Sequence, residues 1–378
     1  MFAVDLRQLQ GGPPLAGTTA APGGHLRTRG TASRSAVGLT LPVTLLVTAL
    51  VASVVVVIGL GPAAVAPDET ARYLWAGLTG GTITADEVTR YQIIWQIRTP
   101  RVLLAACVGA GLGAIGVAVQ ALVRNALADP YILGVSSGAS VGAVAVTVSG
   151  GLAAAGIYAV SVGAFLGALA ATALVFLASY SRAGLTPLRL VLTGVVMSFG
   201  FQSVMAVIVY FSPDSEATST LLFWTMGGFG AATWGTLPPV AAVVLVGTVL
   251  LQRRSRTLDV MTFGDETAAS LGIDSTRTRG GLFALTALVT GTVVAVSGAI
   301  AFVGLVMPHL VRIMIGASHA RVLIVTPLAS ALFMVWVDLL SRTVVAPREI
   351  PLGVITALIG VPVFIVLVRR RGYLFGGR

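Results

Sequence analysis

Lysine is missing from this chain: every one of its 24 Lys+Arg residues is arginine. Without lysine there is no Walker-A phosphate loop and no lysine Schiff base, so ATP hydrolysis by the usual P-loop route and imine chemistry are both excluded. Cysteine is nearly missing as well. The single Cys107 lies in an apolar run, which rules out a disulfide framework and a cysteine-ligated metal centre. The three histidines, His25, His309 and His319, are scattered and lack the spacing of a zinc site. Charge of either sign is scarce. Only 10% of residues are charged, against roughly 25% in soluble domains.

What fills the chain instead is apolar: 56% of 378 residues, with a mean hydropathy of +0.94. No globular interior absorbs that much apolar surface, so the chain needs lipid as solvent, at about 20 residues per crossing helix. Clear apolar runs cover residues 39–60, 102–123, 132–148, 152–178, 188–210, 238–251, 322–340 and 350–368. Residues 282–315 are too many for one crossing, and Gly304 and Pro308 offer a place to turn. The first run is too long, and too far from the start, for a signal peptide.

Arginine placement decides how that long stretch counts. Residues 1–37, rich in Gly, Pro, Ala and Thr, read as a disordered tail with Arg7, Arg27, Arg29 and Arg34; the end of the chain holds Arg369, Arg370, Arg371 and Arg378. Both ends are then cytoplasmic, and the number of spans is even. Ten spans put 17 arginines inside and six outside: Arg72, Arg90, Arg98, Arg101, Arg342 and Arg348. Arg312 falls in the ambiguous stretch. The fold expectation is all-α with about ten transmembrane helices over residues 38–371, followed by a short tail, 372–378. The net charge of +10 is explained by this one-sided placement rather than by nucleic-acid binding.

Two motifs resemble soluble chemistry and are displaced from its context. Gly111-Leu-Gly-Ala-Ile-Gly116 matches a dinucleotide fingerprint, but inside an apolar helix; its glycines, and those at 109, 134, 138, 142, 163 and 167, read as helix-packing faces. Gly134-Val-Ser-Ser-Gly138 matches a hydrolase elbow with His309 as an imagined base for Ser136, which makes an intramembrane serine hydrolase the enzyme alternative. An ion-coupled secondary transporter is the stronger competitor, yet Asp338 is the only carboxylate within the spans, four residues before Arg342, where the two can pair. Pro308, His309 and Arg312, together with Asp338, are candidates for structural anchoring or gating. Polar segments 61–100 and 252–280 should carry partners, the first as short outer-surface helices and the last as one or two short inner helices, and a third polar piece, 211–234, lies outside between the fifth and sixth spans.

The chain is similar to the FecCD family of importer permeases, which serve iron-siderophore, haem and cobalamin uptake. The resemblance runs through Arg98-Thr-Pro-Arg101, the segment from Gln120 through Asp129-Pro-Tyr-Ile-Leu-Gly134 to Ala139, Gly264-Asp-Glu-Thr-Ala-Ala-Ser-Leu-Gly272, the segment from Ser297 through Pro308-His309 to Arg312, and the segment from Arg348 to Gly360. It departs at Ala126, where proline is usual. The resemblance implies a type II ABC importer permease of the inner membrane, working as a pair with an identical or related permease, with the solute path between the two. It implies no catalytic residue, cofactor or metal on this chain, ATP and Mg on partner ATPase subunits, and a solute-binding protein outside. Gly264, Asp265, Glu266, Ala268, Leu271 and Gly272 become the expected ATPase-coupling surface, with Gly272 ending a short helix, and Arg98, Arg101, Arg342 and Arg348 the expected docking face. A weak echo between residues 114–138 and 296–316 fits an inverted repeat.

Overall fold

The computed structural model describes residues 38–181, 184–212 and 215–370; both expected tails lie outside these residues. Fifteen α-helices and no strand occur among the described residues. In order they are α1 (Thr40–Gly59), α2 (Pro67–Thr79), α3 (Val88–Tyr91), α4 (Thr99–Leu122), α5 (Val135–Ser149), α6 (Ala159–Ser179), α7 (Pro187–Phe211), α8 (Ser215–Met226) and α9 (Leu237–Arg253). They continue with α10 (Ser255–Met261), α11 (Asp265–Ser270), α12 (Ser275–Ser297), α13 (Val303–Ile315), α14 (His319–Thr343) and α15 (Leu352–Arg370). Six helical segments are long and apolar enough to cross a membrane, α9 and α10 form a bent pair at 59°, and three shorter apolar helices complete the set. That makes ten apolar helical segments among the described residues, in rough agreement with the ten spans expected.

Helix α4 is the hub. A π-helical segment, Gln92–Arg98, joins it to α3, so residues 88–122 run as one helix of 35 residues, most of it buried. The outer polar segment therefore supplies α2 on the surface but also lengthens the second span. Without side chains to hold neighbours away, the glycines of α4 let four helices approach: Gly111 faces Val244 of α9 and Val293 of α12, Gly113 lies against Ser330 of α14, and Gly116 lies against the carbonyl of Gly304 in α13. A Cβ at Gly116 would sit 2.1 Å from that oxygen. The apparent nucleotide fingerprint is thus a packing device, since in lipid close backbone contact drives helix association. Helices α5 and α6 interlock in the same way through Gly138, Gly142, Gly163 and Gly167. By contrast α1 exposes Leu41, Leu45 and Val51 to lipid and touches the bundle along one edge, where the Trp336 indole donates to Ser53 at 3.0 Å.

One expectation is corrected. The chain does not turn at Gly304 and Pro308, which lie inside α13; it turns at residues 298–302, where Gly298 (φ 64°) closes α12 and Phe302 (φ 70°) opens α13. The polar segment 211–234 contains α8. Its α8 folds back, buries Trp224, and delivers the Trp224 carbonyl to the backbone N–H of Ala299 at 3.0 Å.

Candidate functional site: a clamped corner, a broken helix and an inner lever

At the end of the bundle where α4 begins, three arginines converge. Arg101 donates through Nε to Asp338 at 2.7 Å and forks onto Glu349 at 2.6 and 2.9 Å. Arg342, one turn after Asp338, holds its Nε 3.0 Å from the second Asp338 oxygen but off the hydrogen-bonding direction, so that contact is Coulombic; its remaining donors reach the carbonyls of Leu60 and Val57. Arg98 donates to the carbonyls of Ile58, Gly59 and Ala63 past the end of α1. The first two are carbonyls that the end of α1 leaves without partners, and the third lies in the loop beyond it.

All three guanidiniums are buried, at 4–6% exposure, with Asp338 at 0%. Three of the four arginines of the expected docking face are thus held within the chain itself. Arg98, Arg101 and Arg342 are committed inside the chain, tying α1, α4, α14 and the loop before α15 together, and only Arg348 stands exposed. Arginine beside Glu349 holds that carboxyl below its ordinary range. The pairing of Asp338 with Arg342 is as the spacing predicts.

The break between α12 and α13 exposes backbone polar groups that need partners inside the protein. The loop after α4 supplies them. Asp129 accepts from the N–H of Phe302 at 3.4 Å and from Tyr131 at 2.9 Å, and the Tyr131 hydroxyl accepts from the N–H of Ile300 at 3.0 Å. Pro308 has no N–H, so the Gly304 carbonyl four residues earlier lacks its helical donor. Gln120 Nε2 takes that place at 3.3 Å, reaches Leu305 at 3.1 Å, and receives Arg312 on its own carbonyl oxygen. The two segments whose sequences echo each other are therefore in contact. His309 is half-buried on the same helix.

Asp129, Tyr131 and Gln120 were not singled out by sequence reasoning, although Asp-Pro is a turn signal. The turn at 125–128 forms without the usual proline: the Asn125 side chain accepts from the N–H of Leu127 at 2.8 Å. Ser136 begins α5 after a 3₁₀ turn, Pro130–Leu133, rather than on the strand-to-helix elbow a serine hydrolase needs. Apolar clefts of about 570 and 430 Å³ flank the broken segment, one against Met226 and Leu358, the other against Phe199 and Gln202.

At the opposite end, α10 and α11 project. Helix α11 stops in a Schellman turn: Ile273 N–H bonds Ala268 and Gly272 N–H bonds Ala269, both at 2.9 Å, with Gly272 at φ 77°. Ala268 is fully buried, while Glu266 is exposed and Asp265 half-buried. Asp265 is bound by Arg279 of α12, itself 1% exposed and donating also to Leu185 at 2.9 Å, with Arg124 at 3.9 Å. The Arg279 hydrogen bond pulls the Asp265 carboxyl below its ordinary value. His319, at the start of α14, bonds Asp259 of α10 through its N–H at 3.0 Å and its Nδ1 at 2.6 Å. Beyond these anchors Phe263 and Leu271 stand 75% and 63% exposed.

Ten apolar helices around a glycine-rich hub, with a broken helix inside and a braced short helix at one end, define a multi-pass membrane transport subunit. The profile of the FecCD transport family matches residues 44–370, and the chain belongs to that family. It is 38% identical to the uncharacterized ABC transporter permease protein YvrB of Bacillus subtilis, over 81% of this chain and 86% of that one. It is 37% identical to the hemin transport system permease protein HmuU of Yersinia pestis, over 74% and 84%. The vitamin B12 import system permease protein BtuC of Vibrio cholerae gives 37% over 74% and 83%. A solved ABC transporter, described as of metal-chelate type and inward-facing, superposes with a TM-score of 0.76 at 32% identity, covering 88% of this chain and 100% of that one.

Proposed function

We propose that this chain is the permease of an ATP-driven importer for iron-siderophore or related metal chelates, with haem and cobalamin as the next candidates. Two permease subunits enclose the solute path, ATP and Mg are handled by separate ATP-binding cassette chains, and a solute-binding protein delivers the chelate from outside. The chain sits in the cytoplasmic membrane with both termini inside, in keeping with the arginine distribution. The observation that carries the reading is the braced α11, which presents Leu271 and Phe263 on a rigid support and so can pass a partner's movement into α12 and α4. Relatives named for hemin and vitamin B12 support the solute class.

An ion-coupled mechanism finds little support, because Asp338 is held between Arg101 and Arg342 and has no freedom to exchange a coupling ion. No bond in the solute need break. Alternating access requires only that the partners bind two conformations with different affinity. The test is uptake into proteoliposomes holding the assembled importer, comparing a ferric siderophore, haem and cobalamin. ATP-dependent accumulation of one of them supports the reading, and accumulation of none refutes the solute class.

A further inference from the structure

We propose that the cleft between the end of α9 and the first turns of α12 binds the headgroup of an anionic phospholipid. The cleft encloses about 580 Å³ and is lined by Leu250 and Arg253 of α9, by Arg254 just beyond it, and by Arg277, Gly281 and Leu285, among others, from α12. Positions 277, 281 and 285 are spaced by four, so they form one face of α12. Cationic groups thus stand at one end of the cleft and leucines at the other.

The charges are available. Arg253, Arg254 and Arg277 are exposed, and among the described residues neither Arg253 nor Arg254 is in an ion pair. Arg277 lies 3.3 Å from Asp274, whose other oxygen caps α12 by accepting from the Arg277 N–H at 3.0 Å. Three cations facing one carboxylate leave a positive excess in a half-apolar cleft, a setting that favours a phosphate diester.

The apolar end points to a lipid rather than to a free anion. Leu245, Val246, Val249 and Leu250 of α9 and Leu288 of α12 are exposed and continue the cleft wall along the membrane-crossing faces. An acyl chain can follow that wall while arginines, snorkelling to the interface, hold the phosphate. Gly281 leaves room for it: a Cβ there would meet nothing within 4 Å. This inference needs only that the chain crosses a membrane, and stands apart from the solute and the ATPase.

The experiment is native mass spectrometry of the full chain in detergent, titrated with phosphatidylglycerol or phosphatidylcholine. Wild type should retain phosphatidylglycerol at least about tenfold better, and each arginine removed should cost on the order of fivefold. The variant with Arg253→Gln, Arg254→Gln and Arg277→Gln should lose the preference. Gly281→Leu, which keeps every charge and fills open space, should lose it too. Melting temperatures check that both variants remain folded. Retained preference in either folded variant overturns the proposal, as does displacement of the lipid by millimolar inorganic phosphate, which would assign the cleft to a free anion.

Discussion

Nε of Arg101 donates a 2.7 Å hydrogen bond to Asp338, a residue 237 positions later in the chain, and both side chains are buried. One contact thereby closes the helix that forms the hub onto the helix packed beside it. Removing one partner leaves an uncompensated buried charge, which costs about 3–5 kcal/mol. Asp338→Asn should therefore lower the melting temperature of the detergent-solubilised chain markedly, and Arg101→Gln should do so by a similar amount. The double variant should lose less than the sum. Additive losses would show that the two groups do not act as a pair.

Exposure separates Arg348 from the other three arginines of the expected docking face. Arg348→Glu should weaken binding-protein docking with little change in melting temperature, and the wild-type interaction should weaken as salt rises. Arg98→Glu should instead destabilise the fold, because the carbonyls of Ile58, Gly59 and Ala63 would face a carboxylate. Titrating the binding protein against nanodiscs holding each variant checks both. Docking unchanged in Arg348→Glu at low salt would remove Arg348 from the docking surface.

Gln120 and Pro308 form a compensating pair across α4 and α13. Gln120→Leu should leave the Gly304 carbonyl without a donor and cost about 1–3 kcal/mol. Adding Pro308→Ala supplies an N–H four residues on, so the double variant should recover part of the loss. No recovery would mean that Gln120 acts through Arg312 rather than through the proline gap.

The brace of α11 should depend on acid in one direction. Asp265 titrates below its ordinary value of 3.8, first because of the Arg279 hydrogen bond. A depressed folded value means that the stabilisation is present above the ordinary value and is lost as pH falls through the folded one. The melting-temperature gap between wild type and Asp265→Asn should be constant from neutral pH down to about 5 and close below about 4. The half-exposed carboxylate makes the gap modest. A gap that widens in acid would contradict the assignment.

Much of the fold was legible because lipid imposes a simple rule. Apolar runs mark most of the crossing helices, arginine bias agrees roughly with their number, and glycine spacing at 138, 142, 163 and 167 marks packing faces, which α5 and α6 turn on each other. The turn after α12 was misplaced because Gly304 and Pro308 carry helix-breaking chemistry that Gln120 repairs from another helix, a long-range contact invisible to local pattern. The burial of Arg98, Arg101 and Arg342 was hidden for a related reason. Sequence shows charge at a membrane edge but not the helix-end carbonyls and carboxylates that bury it. The stop at Gly272 was legible because a left-handed helix cap is local chemistry.

The central claim, that another chain's ATP hydrolysis drives transport through α11, is tested most directly by measuring uptake and ATP hydrolysis together in proteoliposomes holding the importer with wild-type or Leu271→Asp permease. The wild type should accumulate chelate with ATP, and the chain alone should accumulate none under a proton or sodium gradient. Leu271→Asp, altering a side chain 63% exposed, should assemble and hydrolyse ATP while accumulating little or no solute. Gradient-driven accumulation by the chain alone, or full ATP-driven uptake by the variant, would contradict it.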